Sequence, residues 1–332
     1  MTPVYRAAAL VSPAEQNNAS IANIRDLETP VNFDFEEGVR HHVAIVGVTG
    51  SGKSVFARHL IRRSVANGVK VLCVDLTSEY DGKFSDLQVL KFSDAADMDA
   101  IADDLRAIGV EFGKFPNQQN QQLITNNTNR VREAIRDALQ AFIGGNNQIL
   151  LVDLPDLENT ADMMDFLRNL FITIFMRARA GDFEGHKLAI ALEEAHTLVP
   201  EHNFISTNDR RVAAVVNAIA QIALQGRKYN VGLMVIAQRT ANVSKTILTQ
   251  CNTVFAFQQF DRTSIDFLGS YFGDFTKALP LLGFRDMIAV GKGVSSSVPF
   301  IATVPHIDEP DEEEGEQPQQ ELPIPPAEPE GN

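Results

Sequence analysis

Cysteine is nearly absent from this chain: 332 residues contain two, Cys73 and Cys251. One lies inside an apolar run and the other just before one. Neither has neighbours at metal-ligand spacing, so both read as small core residues, and a cysteine-based metal centre is not expected. Long apolar runs are missing too. No stretch of about 20 apolar residues is available to span a bilayer, and the opening Met1-Thr2-Pro3-Val4-Tyr5-Arg6 has no apolar signal region. A cytoplasmic protein with no membrane partner is therefore expected. Excess positive charge is the third absence. The formal net charge is −14, and residues 306–332 supply ten acids with no Lys or Arg, which leaves −4 for the rest. The body is only mildly acidic, so global charge neither favours nor excludes nucleic acid, and any basic surface must be local. Hydrophobic content of 44% over this length allows a sizeable core in one large domain or two.

What the chain does have is a phosphate loop in context. Residues 47–54 read Gly-Val-Thr-Gly-Ser-Gly-Lys-Ser, directly after the apolar run His42–Val46. This is the G-x-x-x-x-G-K-[ST] pattern with a strand before it and a helix after it. Its glycines let consecutive backbone N–H groups turn toward a phosphate. Lys53 is placed to reach the β- and γ-phosphates of ATP, and the Ser54 hydroxyl to hold Mg²⁺. The helix beginning there offers its positive end to the anion. The nucleotide contacts expected are Gly47, Thr49, Gly50, Ser51, Gly52, Lys53, Ser54 and Val55.

From residue 42 onward, strand-like runs alternate with helical ones. The strand-like runs are His42–Val46, Lys70–Asp75, Gln148–Asp153, Lys187–Leu192, Gly232–Ala237, Thr253–Phe257, Met287–Val290 and Val298–Val304. Helices are expected over Ser54–Asn67, Asp94–Ile108 (capped by Ser93), Asn129–Phe142, Asn159–Ala180 and Asp209–Gln225. Glycine follows several of them, as it does at helix ends. Alternation of this kind predicts an α/β fold with a mostly parallel sheet covered on both faces. Three segments follow: a short extension over 1–30, able to add a strand from Val4 to Val11 but no domain; an ATPase domain over 31–305; and an acidic, Pro-rich tail over 306–332, expected to be disordered. The Asn/Gln-rich stretch 113–128 reads as a surface loop, with a mobile loop facing a ligand as the alternative.

Phosphate chemistry also needs a carboxylate at a second strand end. Three apolar runs end in acid: at Asp75, at Asp153, and at the tandem Glu193-Glu194. The tandem can divide the work, with Glu193 in the Mg²⁺ shell and Glu194 polarising the attacking water. Asp75 and Asp153 read as capping or turn acids. Gln238, at the end of the Val231 to Ala237 run, is a candidate sensor of the γ-phosphate. Arg227 lies just past a long helix, where it either complements the helix dipole or reaches a neighbouring subunit's phosphates as an arginine finger.

Taken in order, these residues resemble the HerA/FtsK superfamily of DNA-translocating P-loop ATPases, and most closely its HerA branch. The resemblance runs from about Val31 to Val304. It rests on Arg40–Val46 leading into the phosphate loop and on Asp75-Leu-Thr-Ser-Glu79-Tyr80, where Ser78 replaces the family's usual glycine. Leu192-Glu-Glu-Ala-His-Thr-Leu-Val-Pro200, Gly226-Arg-Lys…Gln238-Arg239 and Leu248–Thr253 complete it. It implies a RecA-like sheet and a hexamer with ATP between subunits, as in a helicase or DNA translocase. Lys53, Ser54, Glu193, Glu194 and Gln238 would act in cis and Arg227 in trans. Double-stranded DNA would lie in the central pore, with Arg210 and Arg211 in the segment Glu201–Arg211, and Lys114 in 113–128, as candidate contacts. Such contacts go to phosphates and are sequence-independent. For Arg210 and Arg211 a solvated helix start is the plainer reading. Two departures stand out. Only about 30 residues precede the core, too few for the family's N-terminal β-barrel, and no nuclease signature is present. The implied function is a motor acting with a separate nuclease or effector in DNA processing or anti-phage defence. The alternatives are an ATP-dependent ring that assembles or activates a partner enzyme, and a virion DNA-packaging ATPase.

Overall fold

Apolar runs flanked by helices become strands of one sheet. The computed structural model describes residues 19–27, 29–115, 117–154, 157, 160–201 and 210–307. Its strands are β1 (Ser20–Ile24), β2 (Pro30–Asn32), β3 (Val43–Val46), β4 (Val69–Val74), β5 (Val89–Lys91), β6 (Ile149–Val152), β7 (Lys187–Leu192), β8 (Val231–Ala237), β9 (Thr253–Ala256), β10 (Asp286–Gly291) and β11 (Ser296–Thr303). The longer helices are α1 (Lys53–Ala66), α2 (Met98–Phe112), α3 (Gln118–Gly144), α4 (Thr160–Ala180), α5 (Arg210–Gln225) and α6 (Arg262–Phe272).

The strands lie in the order β2-β1-β11-β10-β9-β3-β8-β7-β4-β6-β5. From β9 to β5 every pairing is parallel. The pairings from β9 outward to β2 are antiparallel. Parallel strands are buried on both faces and carry apolar residues at every position, and β3, β6 and β8 are buried throughout. Successive side chains point to opposite faces. Thus Ala44, Val46, Leu72, Val74, Ile190 and Leu192 join one core, under α2 to α6. Val43, Ile45, Val71, Cys73, Ala189 and Ala191 join the other. That second core is capped by α1, through Phe56, Leu60 and Ile61, and by Phe33, Phe35, Tyr80 and Phe84. Each such fully buried side chain stabilises the fold by roughly 1.5–3 kcal/mol relative to exposure.

This order determines what meets at the site. The phosphate loop leaves β3, which has β8 and then β7 on one side, and β9 and then β10 on the other. The parallel strands end along a single edge. Because β10 runs antiparallel to β9, it begins at that same edge.

Several expectations are corrected. The Asn/Gln-rich stretch is not a loop beyond residue 117: α3 begins at Gln118, capped by the Asn117 side chain, which accepts from Asn120 N at 2.9 Å. Gln118, Gln119, Gln121, Gln122 and Asn126 face solvent and Asn120 and Asn127 are buried, while Val131, Ile135, Ala138, Leu139 and Phe142 pack into the core. The helix expected over 94–108 is split. Phe92–Ala95 forms one turn, and α2 starts at Met98 with Asp97 as its cap. Ser93 is occupied elsewhere, donating to Asp153 Oδ2 at 2.6 Å. The sheet also takes in β1 and β2 from the extension, ahead of the start expected at 31, and β5 was not foreseen. The proposed strand over 4–11, the segment 202–209 and the tail beyond 307 lie outside the described residues.

Candidate active site

The loop between β3 and α1 folds as its composition dictates. Gly50 and Gly52 take φ of +79° and +95°, values that L side chains rarely adopt. Gly47 sits where a Cβ would come within 2.6 Å of Phe257 Cβ. Ser51 closes the turn, its Oγ donating to Val48 O at 2.7 Å. The first turn of α1 has no intrahelical acceptors for its N–H groups, so those of Lys53, Ser54 and Val55 are available to an anion. Thr49 and Gly50 are exposed at the tip, and Ser54 and Val55 are half-buried.

Two strands away, β7 ends in the tandem acids. Lys53 Nζ lies 3.8 Å from Glu193 Oε1 and 3.6 Å from Glu194 Oε1. All three residues are buried, at 4%, 2% and 8% exposure. A lysine that deep is tolerable only with such partners. Glu194 has left-handed backbone (φ +42°), which turns its carboxylate out of line with the strand. Gln238, at the end of β8, donates to Glu194 Oε1 at 2.7 Å, and His196 Nδ1 stands 3.1 Å from Oε2. Burial pushes the Glu193 carboxyl up to about 7, with Lys53 and a hydrogen bond from Tyr80 opposing the rise. A cavity of about 180 Å³ is lined by the phosphate loop together with Glu79, Glu194, Gln238 and Phe284.

Two features fit a nucleotide with a divalent cation. The glycine-lined loop is a cradle that side chains would fill. Glu193 Oε1 is buried and accepts no hydrogen bond from the described residues, while oxygens of Glu79, Glu193 and Glu194 lie within 4.8 Å of one another.

Lys53, Glu193, Glu194 and Gln238 thus lie together. Asp75 and Asp153 do not join them. Asp75 accepts from Thr77 N, Thr77 Oγ1 and Tyr80 N, and Asp153 from Ser93, so both organise turns. Arg227 is exposed at the far edge of the sheet, just ahead of β8. It stands near His41, whose pKa is lowered by burial, then by Lys292 and Arg227. Arg211 is engaged, its Nε 2.9 Å from Asp165 Oδ2, and Lys114 pairs with Glu111. Arg210 is exposed at the start of α5.

Tyr80 and Glu79 also belong to this cluster, although the sequence assigns them no site role. Tyr80 is fully buried and donates its hydroxyl to Glu193 Oε2. The segment Asp75–Tyr80 marked them, but their meeting with Glu193 depends on β4 lying beside β7.

A phosphate loop facing a strand-end carboxylate pair on a parallel sheet defines the P-loop NTPase class. Residues 20–141 match the family described as helicase HerA, central domain. Among solved structures, VirB4 of Thermoanaerobacter pseudethanolicus aligns over 87% of this chain and 96% of its own, at 13% identity and a TM-score of 0.56. The bacterial conjugative coupling protein TrwBdeltaN70 aligns over 92% of each, at 10% identity and a TM-score of 0.52. The genome packaging NTPase B204 of Sulfolobus turreted icosahedral virus 2, in complex with AMPPCP, aligns over 80% of this chain and 97% of its own, at 13% identity and a TM-score of 0.47. No curated protein matches the chain in sequence. The fold is that of the RecA-like ATPases, and the family match bears out the resemblance to the HerA/FtsK superfamily.

Proposed function

We propose that this chain is an ATP-hydrolysing motor that drives double-stranded DNA through the pore of a homo-hexameric ring. The observation that carries the reading is the convergence of Lys53, Glu193, Glu194 and Gln238 on one cavity with the phosphate loop. Lys53 binds the β- and γ-phosphates in place of its present carboxylate partners. Glu194, released from Lys53, orients and polarises the attacking water, with Gln238 holding its carboxylate. Ser54 and Glu193 would hold Mg²⁺, which when bound would supply positive charge against the phosphates. Arg227 of a neighbouring subunit supplies the finger. The match to the HerA central domain, and the shared fold of a conjugative coupling protein, support a DNA substrate. Arg210 is the freest of the candidate DNA contacts, since Arg211 and Lys114 have acidic partners. A separate nuclease or effector is the partner this reading assigns.

ATP turnover with and without duplex DNA, followed across a salt series, tests the proposal. Duplex DNA should raise the rate, and added salt should diminish the effect. Lys53→Ala should abolish nucleotide binding. Glu194→Gln should keep binding and lower kcat by roughly 10²–10⁴-fold, the usual worth of a general base. A rate indifferent to DNA at every salt concentration would remove the motor from the reading.

A further inference from the structure

Phe284 stands at the rim of the phosphate loop and has no part in the hydrolytic machinery. It is 61% exposed and lines the same cavity as Lys53 and the loop glycines. The backbone beside it is pinned to that loop. Arg285 N donates to Ser51 O at 3.0 Å, and a Cβ on Gly52 would meet Arg285 Cα at 3.2 Å. Arg285 itself has left-handed backbone at φ +67°. This conformation is uncommon for a residue with a long side chain. One face of the Phe284 ring carries the Arg285 guanidinium, 4.9 Å from the centroid.

Sheet order determines which end of a nucleotide such a ring would meet. The carboxylates end β7, two strands to one side of β3. Phe284 precedes β10, two strands to the other side. A triphosphate lying along the loop with its terminal phosphate toward Glu194 and Gln238 therefore directs its sugar and base toward Phe284. An exposed aromatic, rigidly placed and with one ring face open, suits the flat face of a nucleobase.

We propose that Phe284 is the platform on which the base of the bound nucleotide stacks. The assignment rests on the nucleotide reading of the phosphate loop. Stacking is indifferent to base identity, so the platform adds affinity without strong discrimination between ATP and GTP. Base–aromatic stacking is worth about 1–3 kcal/mol, which corresponds to roughly 5–150-fold in affinity.

Calorimetric titration of the full chain with MgATP, MgGTP and Mg-tripolyphosphate separates the possibilities. Phe284→Ala should weaken MgATP and MgGTP by roughly 5–150-fold and leave tripolyphosphate, which has no base, unchanged. Phe284→Tyr should restore both nucleotides. Equal weakening of tripolyphosphate would overturn the assignment, because the loss would then lie in the loop. So would unchanged MgATP affinity, whether or not native mass showed impaired self-assembly, a result that would make Phe284 a subunit-contact residue. Failure of the wild-type chain to bind any of the three would instead sink the nucleotide reading itself.

Discussion

A single hydroxyl sets the posture of Glu193, the acid proposed to hold the metal. Tyr80 is buried against Phe84, its N–H donates to Asp75 Oδ2 at 2.7 Å, and its O–H donates to Glu193 Oε2. The other Glu193 oxygen is thereby left to face Lys53. Burial raises the Glu193 carboxyl from 4.5 to about 7, and the Tyr80 hydrogen bond limits the rise by favouring the ionised form. The sign follows. Folding favours protonated Glu193, so its contribution to stability is complete below pH 4.5 and is lost as pH rises through about 7. Tyr80→Phe retains the ring but strands a buried carboxylate oxygen, at a cost of about 1–3 kcal/mol. If Glu193 must be ionised for turnover, as proposed, the acid limb of the ATPase pH profile should move to higher pH in this variant, and urea denaturation at neutral pH should show the lost stability. A limb that stayed in place would mean that Tyr80 serves packing alone.

Among the elements, the entrance to β3 is held by a histidine. His42 has left-handed backbone (φ +58°) and is buried. Its Nε2 lies 2.9 Å from Ala223 O near the end of α5, and its Nδ1 accepts from Leu233 N of β8 at 3.0 Å. Both contacts suit a neutral ring with its proton on Nε2. Burial lowers the pKa from 6.5 to about 4, against a smaller opposing effect of the Ala223 carbonyl. The stability His42 contributes is present above pH 6.5 and is lost as pH falls through that value toward 4, to a total of about 3 kcal/mol. His42→Asn, compatible with the left-handed backbone, should lower stability at pH 7 and flatten its dependence between pH 6.5 and 4. Urea midpoints across that range check it, and an undiminished slope would locate the acid sensitivity elsewhere. Much of this level was legible in the sequence. Parallel strands buried on both faces leave continuous apolar runs, so β3, β4, β6, β7 and β8 stood out, and Gly68 and Gly181 marked the ends of α1 and α4. The phosphate loop is local in the chain and was read residue by residue. What escaped depends on neighbours distant in sequence. Tyr80 reaches Glu193 only because β4 lies against β7, and Phe284 reaches the loop only because β10 lies two strands from β3. The start of α3 was hidden because its first turns are built of Gln and Asn, the glutamines facing solvent, and apolar periodicity becomes firm only from Val131.

At the scale of the whole molecule, the position of Arg227 constrains how a site could be completed. The loop, Glu194 and Gln238 lie where the parallel strands end, whereas Arg227 precedes the first residue of β8. Seven strand residues separate Arg227 from Gln238 at the other edge, and at ~3.3 Å per residue they span roughly 20 Å. No side chain bridges that distance, so Arg227 cannot touch phosphates bound to its own loop. If it serves hydrolysis at all, it does so on a neighbour whose loop edge packs against its far edge, a head-to-tail contact of the kind that closes into a ring. This geometry makes a sharp expectation. Arg227→Ala and Lys53→Ala should each be inactive as pure proteins, the first losing roughly 10³–10⁵-fold in kcat as arginine fingers do. Co-assembled in equal amounts, they should regain activity. Wherever a Lys53→Ala subunit presents its Arg227 to the loop of an Arg227→Ala subunit, the composite site is intact, which random mixing allows at roughly one contact in four of a closed ring. ATPase assays on mixtures refolded or exchanged together, with the separate proteins as controls, read this directly. Mixtures no more active than their components would mean that Arg227 only complements the end of α5, and the ring would have to find its finger elsewhere.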